Sequence, residues 1–195
     1  MSIKRVTTTF LVKGLHPSVG TAARRQDLEI AIFHRCPTMP TFPNRYAGCS
    51  GSMEEGESPW ETARRELQEE TNWTPASPAQ WEEPFAAGLY VDVNFVSPRS
   101  GRPSIIRVYP FVVSVSNEFQ VELKGTEHDR WQWMRLEALE KLDEEEKTVP
   151  SLALAFHHAT AGKFDNGVTE EERNWASDKE NGKRKPASAI HHCIA

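Results

Sequence analysis

Cysteine is scarce in this chain, and its three copies, Cys36, Cys49 and Cys193, lie far apart with no CxxC pair among them. An odd number of widely spaced cysteines argues against a disulfide framework or a cysteine-rich zinc site, and for free thiols in a reducing compartment. Long apolar runs are also missing. No stretch approaches the roughly 20 residues of a membrane-spanning helix, and the N-terminal residues carry no apolar core of a signal peptide. Positive charge is in deficit, with 23 Lys and Arg against 28 Asp and Glu and a net charge of −5. A duplex-binding surface needs a basic patch that displaces counterions, so this balance argues against a nucleic acid duplex as partner. The expectation is a soluble, cytoplasmic protein with no membrane partner. Phosphates remain open as ligands, because a bound metal ion inverts the charge of an acidic site. At 195 residues the chain has room for one domain with a sizeable core, or one domain and a tail.

What the chain does have is concentrated acid. In GSMEEGESPWETARRELQEETNW (residues 51–73), Glu66, Glu69 and Glu70 stand at i, i+3 and i+4. On a helix that spacing stacks three carboxylates on one face, where they repel one another. Hard divalent cations, which prefer oxygen ligands, are the obvious groups to set between them. The helix itself is predicted from local chemistry. Ser58 is an N-cap, Pro59 suits the first helical position, and Glu61 completes a capping box. Glu61 precedes Arg65 by four residues, the favourable order for an ion pair. Ala63 and Leu67, with Trp60 beside them, form a narrow apolar face. Asn72 is expected to end the helix in the left-handed conformation, Trp73 to fold back on the apolar side, and Pro75 to stop the helix resuming. Acidic runs on helices are usually solvated faces. Here the cap, the glycine-bearing loop, the arginine and the glutamates fall at fixed spacings together, which favours a site.

These residues resemble the signature of the Nudix hydrolases: Gly51, Glu57, Arg65, Glu66, Leu67, Glu69, Glu70, Asn72 and Trp73 hold its places. Asn72 stands where the family has glycine. Ser50 stands where the family often has another glycine, and its backbone carbonyl remains available to a metal ion. The resemblance implies an α/β fold, a Nudix-type α/β/α sandwich with a mixed sheet. It also implies a metal-dependent pyrophosphohydrolase that cleaves a nucleoside diphosphate linked to another moiety, water attacking phosphorus with Mg²⁺ or Mn²⁺ as cofactor. By the same resemblance Glu66, Glu69 and Glu70 are the catalytic metal ligands, one of them doubling as general base. Arg65 points away from the metal ions and braces the helix to the loop through Glu57, so Gly51, Glu57 and Arg65 organise the site. The family often adds a late acidic ligand. Glu127, in EHDRWQW ahead of a Trp-bearing strand, is the candidate, in competition with Glu118 and Glu122. The expected partner is a small nucleoside diphosphate derivative, and a homodimer is compatible with this reading. A second class, a nucleotide-sensing or regulatory Nudix module without turnover, also stays open. The intact carboxylates count against it, since a sensor has no need to keep mutually repelling groups. More weakly, SGSMEEGESPWETARRELQEETNWTP and the later Trp-x-Trp are similar to fungal Nudix domains fused to a module like the regulatory subunits of translation initiation factor two B.

Elsewhere, β-branched and apolar runs predict strands at Arg5–Lys13, Leu28–Arg35, Trp81–Phe85, Leu89–Val96, Ile105–Ser116 and Trp131–Met134. Pro110 suggests an edge or a bulge in its strand. His16–Asp27, Cys36–Arg45 (with Pro37, Pro40 and Pro43) and Ser97–Pro103 read as loops. Glu137–Glu146 and Pro150–Ala161 read as helices, the second with Pro150 in its first turn, Leu152, Phe156 and Ala159 on one side, and one of His157 and His158 packed. The Nudix domain is expected over 1–164. Residues 165–195 are polar and aperiodic, as in a disordered tail. Its Lys183-Arg184-Lys185 is compatible with nuclear entry but is common in solvated tails, and His191-His192-Cys193 lacks a framework for a metal. Substrate selection is left to the loops: Arg35, Arg45, Arg99, Arg102 and Arg107 for phosphates, and Phe42, Tyr46, Tyr90 and Phe95 for a base.

Overall fold

The computed structural model describes residues 2–14, 25–74, 90–96 and 101–160. In chain order these form β1 (Ser2–Lys13), a short 3-10 turn (Arg25–Asp27), β2 (Glu29–Arg35), β3 (Tyr46–Ala47), β4 (Cys49–Ser52), α1 (Pro59–Glu70), β5 (Val91–Val96), β6 (Pro103–Ser114), β7 (His128–Met134), α2 (Leu136–Glu144) and α3 (Leu152–Thr160). The segments 81–85, 97–100 and 165–195 lie outside the described residues, and with them the predicted first strand after the motif and the tail.

The strands make one mixed, branched sheet of order β3-β2-β1-β6-β5, with β4 on β1 and β7 on β2. The branching follows from the register. Along one edge of β1, Val6–Thr9 pair with β4 while Val12 and Lys13 pair with β2. On its other edge β1 runs parallel to β6 throughout. Strand β2 likewise shares one edge between β1 and β3 and gives the other to β7. The sheet therefore opens as a fork, and the chain steps from one arm to the other at Gly48. A Cβ there would lie 2.8 Å from Thr8 Cγ2 and 3.1 Å from the Thr9 carbonyl, so only glycine lets the arms approach this closely.

Alternation along the strands sends side chains to two cores. Phe10, Val12, Ile30, Ile32 and Val112 pack against Leu139 of α2 and Leu152 and Phe156 of α3. Leu11, Ala31, Phe33, Cys49 and Val113 pack against Leu67 of α1 and Trp73. With α1 on one face and α2 and α3 on the other, the expected α/β/α sandwich with a mixed sheet is what the chain adopts.

As Pro110 suggests, β6 is an edge where that residue lies: β5 pairs only with Pro103–Val108, so at Pro110 that side of β6 has no strand partner among the described residues and the missing N–H breaks no pairing with β5. Two local expectations are corrected. Helix α3 begins at Leu152 and not at Pro150, after Ser151 in the left-handed region (φ 64°). Helix α1 ends at Glu70, and Thr71 caps it in extended geometry with its hydroxyl and backbone N–H both bonded to the Leu67 carbonyl. Asn72 takes no left-handed turn; its side chain instead accepts from Glu122 N–H and donates to the Gln120 carbonyl, tying the helix end to the loop before β7. Of the histidine pair in α3, His157 is buried against Glu140 (2.8 Å) and His158 is half-buried.

The capping box is formed: Ser58 Oγ accepts from Glu61 N–H, and Ser58 N–H donates to the Glu61 carboxylate at 2.8 Å. Ser58→Ala is expected to destabilise the protein by about 1 kcal/mol and Ser58→Asp far less, as read from urea unfolding midpoints.

Candidate active site

Strand β4 runs into the acidic loop 53–58 and then α1, and one guanidinium ties these three pieces together. Arg65 Nε donates to Glu57 Oε1 at 2.8 Å, and its Nη2 donates to Glu57 Oε2 and to the Ser52 carbonyl, both at 3.1 Å. Glu57 also accepts from Glu54 N–H (3.0 Å) and the Thr62 hydroxyl (2.7 Å). With Arg65 as the main cause, these bonds hold the Glu57 carboxyl at about 2, far below the usual glutamate range, and push Arg65 above its ordinary value.

Arg65 braces the loop through Glu57 and also reaches the acidic face itself. Its third nitrogen, Nη1, donates to Glu66 Oε1 at 2.7 Å and to Glu69 Oε2 at 3.1 Å. A guanidinium has five donors on a flat fork, so one residue can brace Glu57 and still face two carboxylates, one adjacent and one a turn later. Arg65 is thus a brace and also the counter-ion of the acidic face.

Glu66 sits against the backbone of Gly51. A Cβ added at Gly51 would fall 1.8 Å from the Glu66 carboxylate carbon, so any other residue there displaces that side chain. Ser50, next to it, spends its hydroxyl on structure, donating to the Gly48 carbonyl at 2.9 Å and meeting Thr8 Oγ1 at 3.0 Å. Burial raises the Glu66 pKa, and Arg65 draws it back down.

Glu70 is the extreme case. It is 5% exposed, and neither carboxylate oxygen has a hydrogen-bond partner of good geometry. Burial pushes its pKa up to about 8; the neighbouring Cys49 thiol and Arg35 oppose the rise, while Glu127 and Glu66 add to it. The Cys49 thiol is itself pushed well up, by burial first and then by Glu70. His128 Nδ1 lies 3.7 Å from Glu70 Oε2, but burial, helped by Arg35, drops the imidazole to about 4. A neutral ring at that distance makes no ion pair with Glu70.

Glu127 is brought to this end of the site: it acts electrostatically on Glu66, Glu70 and Cys49. Glu118 and Glu122 are not among the main influences on Glu66 or Glu70. Among the described residues, no three His, Cys, Asp or Glu side chains stand together as a ready metal cage. No spacing in the sequence marks Cys49 and His128, since a branched sheet carries them to Glu70.

The loop candidates divide. Phe42 and Phe95 meet, ring centroids 6.3 Å apart, whereas Tyr46 packs edge-on against His34. Arg107 is committed to Asp92 by two bonds of 2.8 and 2.9 Å and stacks over Tyr90. Arg102 is exposed, and Arg99 lies outside the described residues.

The profile of the NUDIX domain matches residues 14–154. The chain belongs to the Nudix family. Among solved structures, a C. elegans Ap4A hydrolase in a binary complex is 20% identical, with 82% of this chain and 98% of that one covered and a TM-score of 0.52. The MutT protein from Methanosarcina mazei Go1 is 18% identical, covering 81% and 93% with a TM-score of 0.52. A Nudix hydrolase from Alicyclobacillus acidocaldarius is 16% identical, covering 86% and 96% at the same TM-score. At these identities the likeness is one of fold. No match is found among curated proteins. Nudix membership and the Nudix fold together support a pyrophosphohydrolase. Among the described residues no helix is long and apolar enough to cross a membrane.

The state of Glu70 sets a pH dependence. Its folded pKa of about 8 stands above the ordinary value of 4.5, so the folded protein holds a proton that the unfolded chain releases. The associated stability is full below pH 4.5 and is lost as pH rises through 8. In chelator-treated protein, Glu70→Gln is expected to flatten the fall in melting temperature across that window and to melt higher than wild type at pH 8. Parallel melting curves for the two proteins would refute this.

Proposed function

We propose that this Nudix domain hydrolyses the diphosphate bridge of a nucleoside diphosphate linked to another moiety, with Mg²⁺ or Mn²⁺ as cofactor. The observation that carries the reading is Glu70, a carboxyl buried on the acidic face with neither oxygen in a hydrogen bond of good geometry, the Cys49 thiol beside it, and Glu66 and Glu127 acting on it. Such a group is costly unless a cation meets it. The donor set is all hard oxygen, which suits Mg²⁺, an ion that binds through a few carboxylates and substrate phosphates.

In this reading Glu66, Glu69 and Glu70 hold the cation, joined by Glu127 and the Ser50 carbonyl. When bound, the cation polarises the bridge oxygens and acidifies water. The chain's own residues do the positioning that phosphoryl transfer chiefly demands. Gly51 leaves the space in which Glu66 lies, and Arg65 with Glu57 fixes the acidic loop against α1. One helix glutamate accepts the proton of the attacking water. Phe42 and Phe95, which touch, are the candidates for the base-binding wall. The likeness to fungal Nudix domains fused to an initiation factor two B-like module belongs to the same proposal, with residues 165–195 as the linker after a Nudix domain of 1–164.

A phosphate-release screen over a panel of nucleoside diphosphate derivatives with Mg²⁺ or Mn²⁺ tests the reading. Glu69→Gln and Glu70→Gln are each expected to lower kcat by at least about a hundredfold, since each removes charge aimed at the reacting centre, and to weaken Mg²⁺ binding by calorimetry. Unchanged Mg²⁺ binding in both variants would remove these residues from the cation site. Deleting the residues after Phe164 is expected to leave the melting temperature and turnover unchanged. A drop of several degrees or a loss of turnover would place the tail in the folded domain.

A further inference from the structure

Arg35 is the last residue of β2, and alternation sets it on the α1 face with Ala31 and Phe33. It is 7% exposed, an unusual place for a guanidinium, and burial draws its pKa down. Two sets of partners hold it there. Its backbone closes the neck of the proline-rich loop: Arg35 N–H donates to the Arg45 carbonyl at 2.9 Å, and Arg35 C=O accepts from Asn44 N–H at 3.2 Å. Its side chain reaches into the same loop, Nε donating to the Thr41 carbonyl at 3.3 Å. Its place in the strand pair sets it beside the other end of the site: Arg35 pairs with His128 of β7, and the next residue's N–H (Cys36) donates to the Glu127 carbonyl at 2.8 Å. Glu127 first and Glu70 second are the carboxylates that act on its charge.

The loop needs such an anchor. Phe42 and Asn44 are non-glycine residues in the left-handed region (φ 49° and 56°), a conformation that costs each of them free energy and persists only when held from outside. Phe42 is the residue that meets Phe95 of β5.

We infer that Arg35 is a positioning residue that couples the shape of the proline-rich loop to the Glu70–Glu127 end of the carboxylate cluster. Its charge offsets those carboxylates, and its Nε–H, with its backbone, fixes the loop that carries Phe42. This deepens the hydrolase reading by naming the residue through which the substrate-facing loop and the cation-binding end communicate.

Full-length Arg35→Met and Arg35→Lys separate the two roles, with hydrogen exchange of the amides of Met39 and Asn44 and calorimetric Mn²⁺ titration without nucleotide as readouts. Arg35→Met is expected to speed exchange in the loop by roughly tenfold, the scale of one lost hydrogen bond. It is also expected to tighten Mn²⁺ binding severalfold, because a positive charge beside the carboxylates is gone. Arg35→Lys restores the charge and returns Mn²⁺ binding toward wild type, while the loop still exchanges fast because lysine carries a methylene where the Nε–H meets the Thr41 carbonyl. A merely structural arginine would lower the melting temperature and leave loop exchange and Mn²⁺ affinity at wild-type values, which would overturn the proposal. Should Arg35→Met fail to fold, loop exchange in Arg35→Lys decides alone, with wild-type rates counting against us. Neither readout needs turnover. An inactive wild-type chain that still shows these shifts would sink the hydrolase reading and leave the role of Arg35 standing.

Discussion

The Arg65 guanidinium solves a problem that the acidic helix creates for itself. Three glutamates one turn apart weaken α1, and two of them are drawn out of water by the sheet beneath. Arg65 meets this with every edge of its fork: Nε and Nη2 on Glu57, Nη2 on the Ser52 carbonyl, and Nη1 on Glu66 and Glu69. One side chain thus fixes the loop, the strand end and the acidic face relative to each other. Glu70 is the carboxylate it does not reach, and Glu70 is the one whose pKa rises furthest.

The fork in the sheet explains why Glu70 is different. Because β1 divides one edge between β4 and β2, the end of α1 lies where the two arms part, and side chains from both arms converge on it. Cys49 comes from β4, while Arg35 and His128 come from β2 and β7. A register shift between β2 and β7 at His34 and Arg35 separates His128 from Asp129, so that Asp129 bonds to His34 at 2.8 Å while His128 faces Glu70. A buried carboxyl surrounded by a thiol, a neutral imidazole and one arginine is poorly supported in its ionised form by protein alone. That poor support is what recommends the place to a divalent cation.

Helix α1 was legible from sequence almost to the residue because its signals are local. Cap, proline, capping-box glutamate and apolar stripe all act within one or two turns. Its end was not, since Asn72 found better partners in the loop before β7 than in a left-handed turn, and those partners are about 50 residues away in sequence. Pro110 marks an edge as its chemistry requires, because β5 stops at Val108 and leaves that side of β6 without a strand partner there.

The sequence by itself determined that glutamates share a helix face, that Glu57 stands where Arg65 can reach it, and that Gly51 precedes them, because fixed spacing on a regular backbone carries those relations. Only the tertiary structure decided which carboxylate is buried, that Arg65 also clasps Glu66 and Glu69, and that Arg35, Cys49, Glu127 and His128 gather at Glu70. Burial and convergence depend on strand order and on the fork between strand arms. Those are set by contacts between residues far apart in the chain, to which no local pattern gives access.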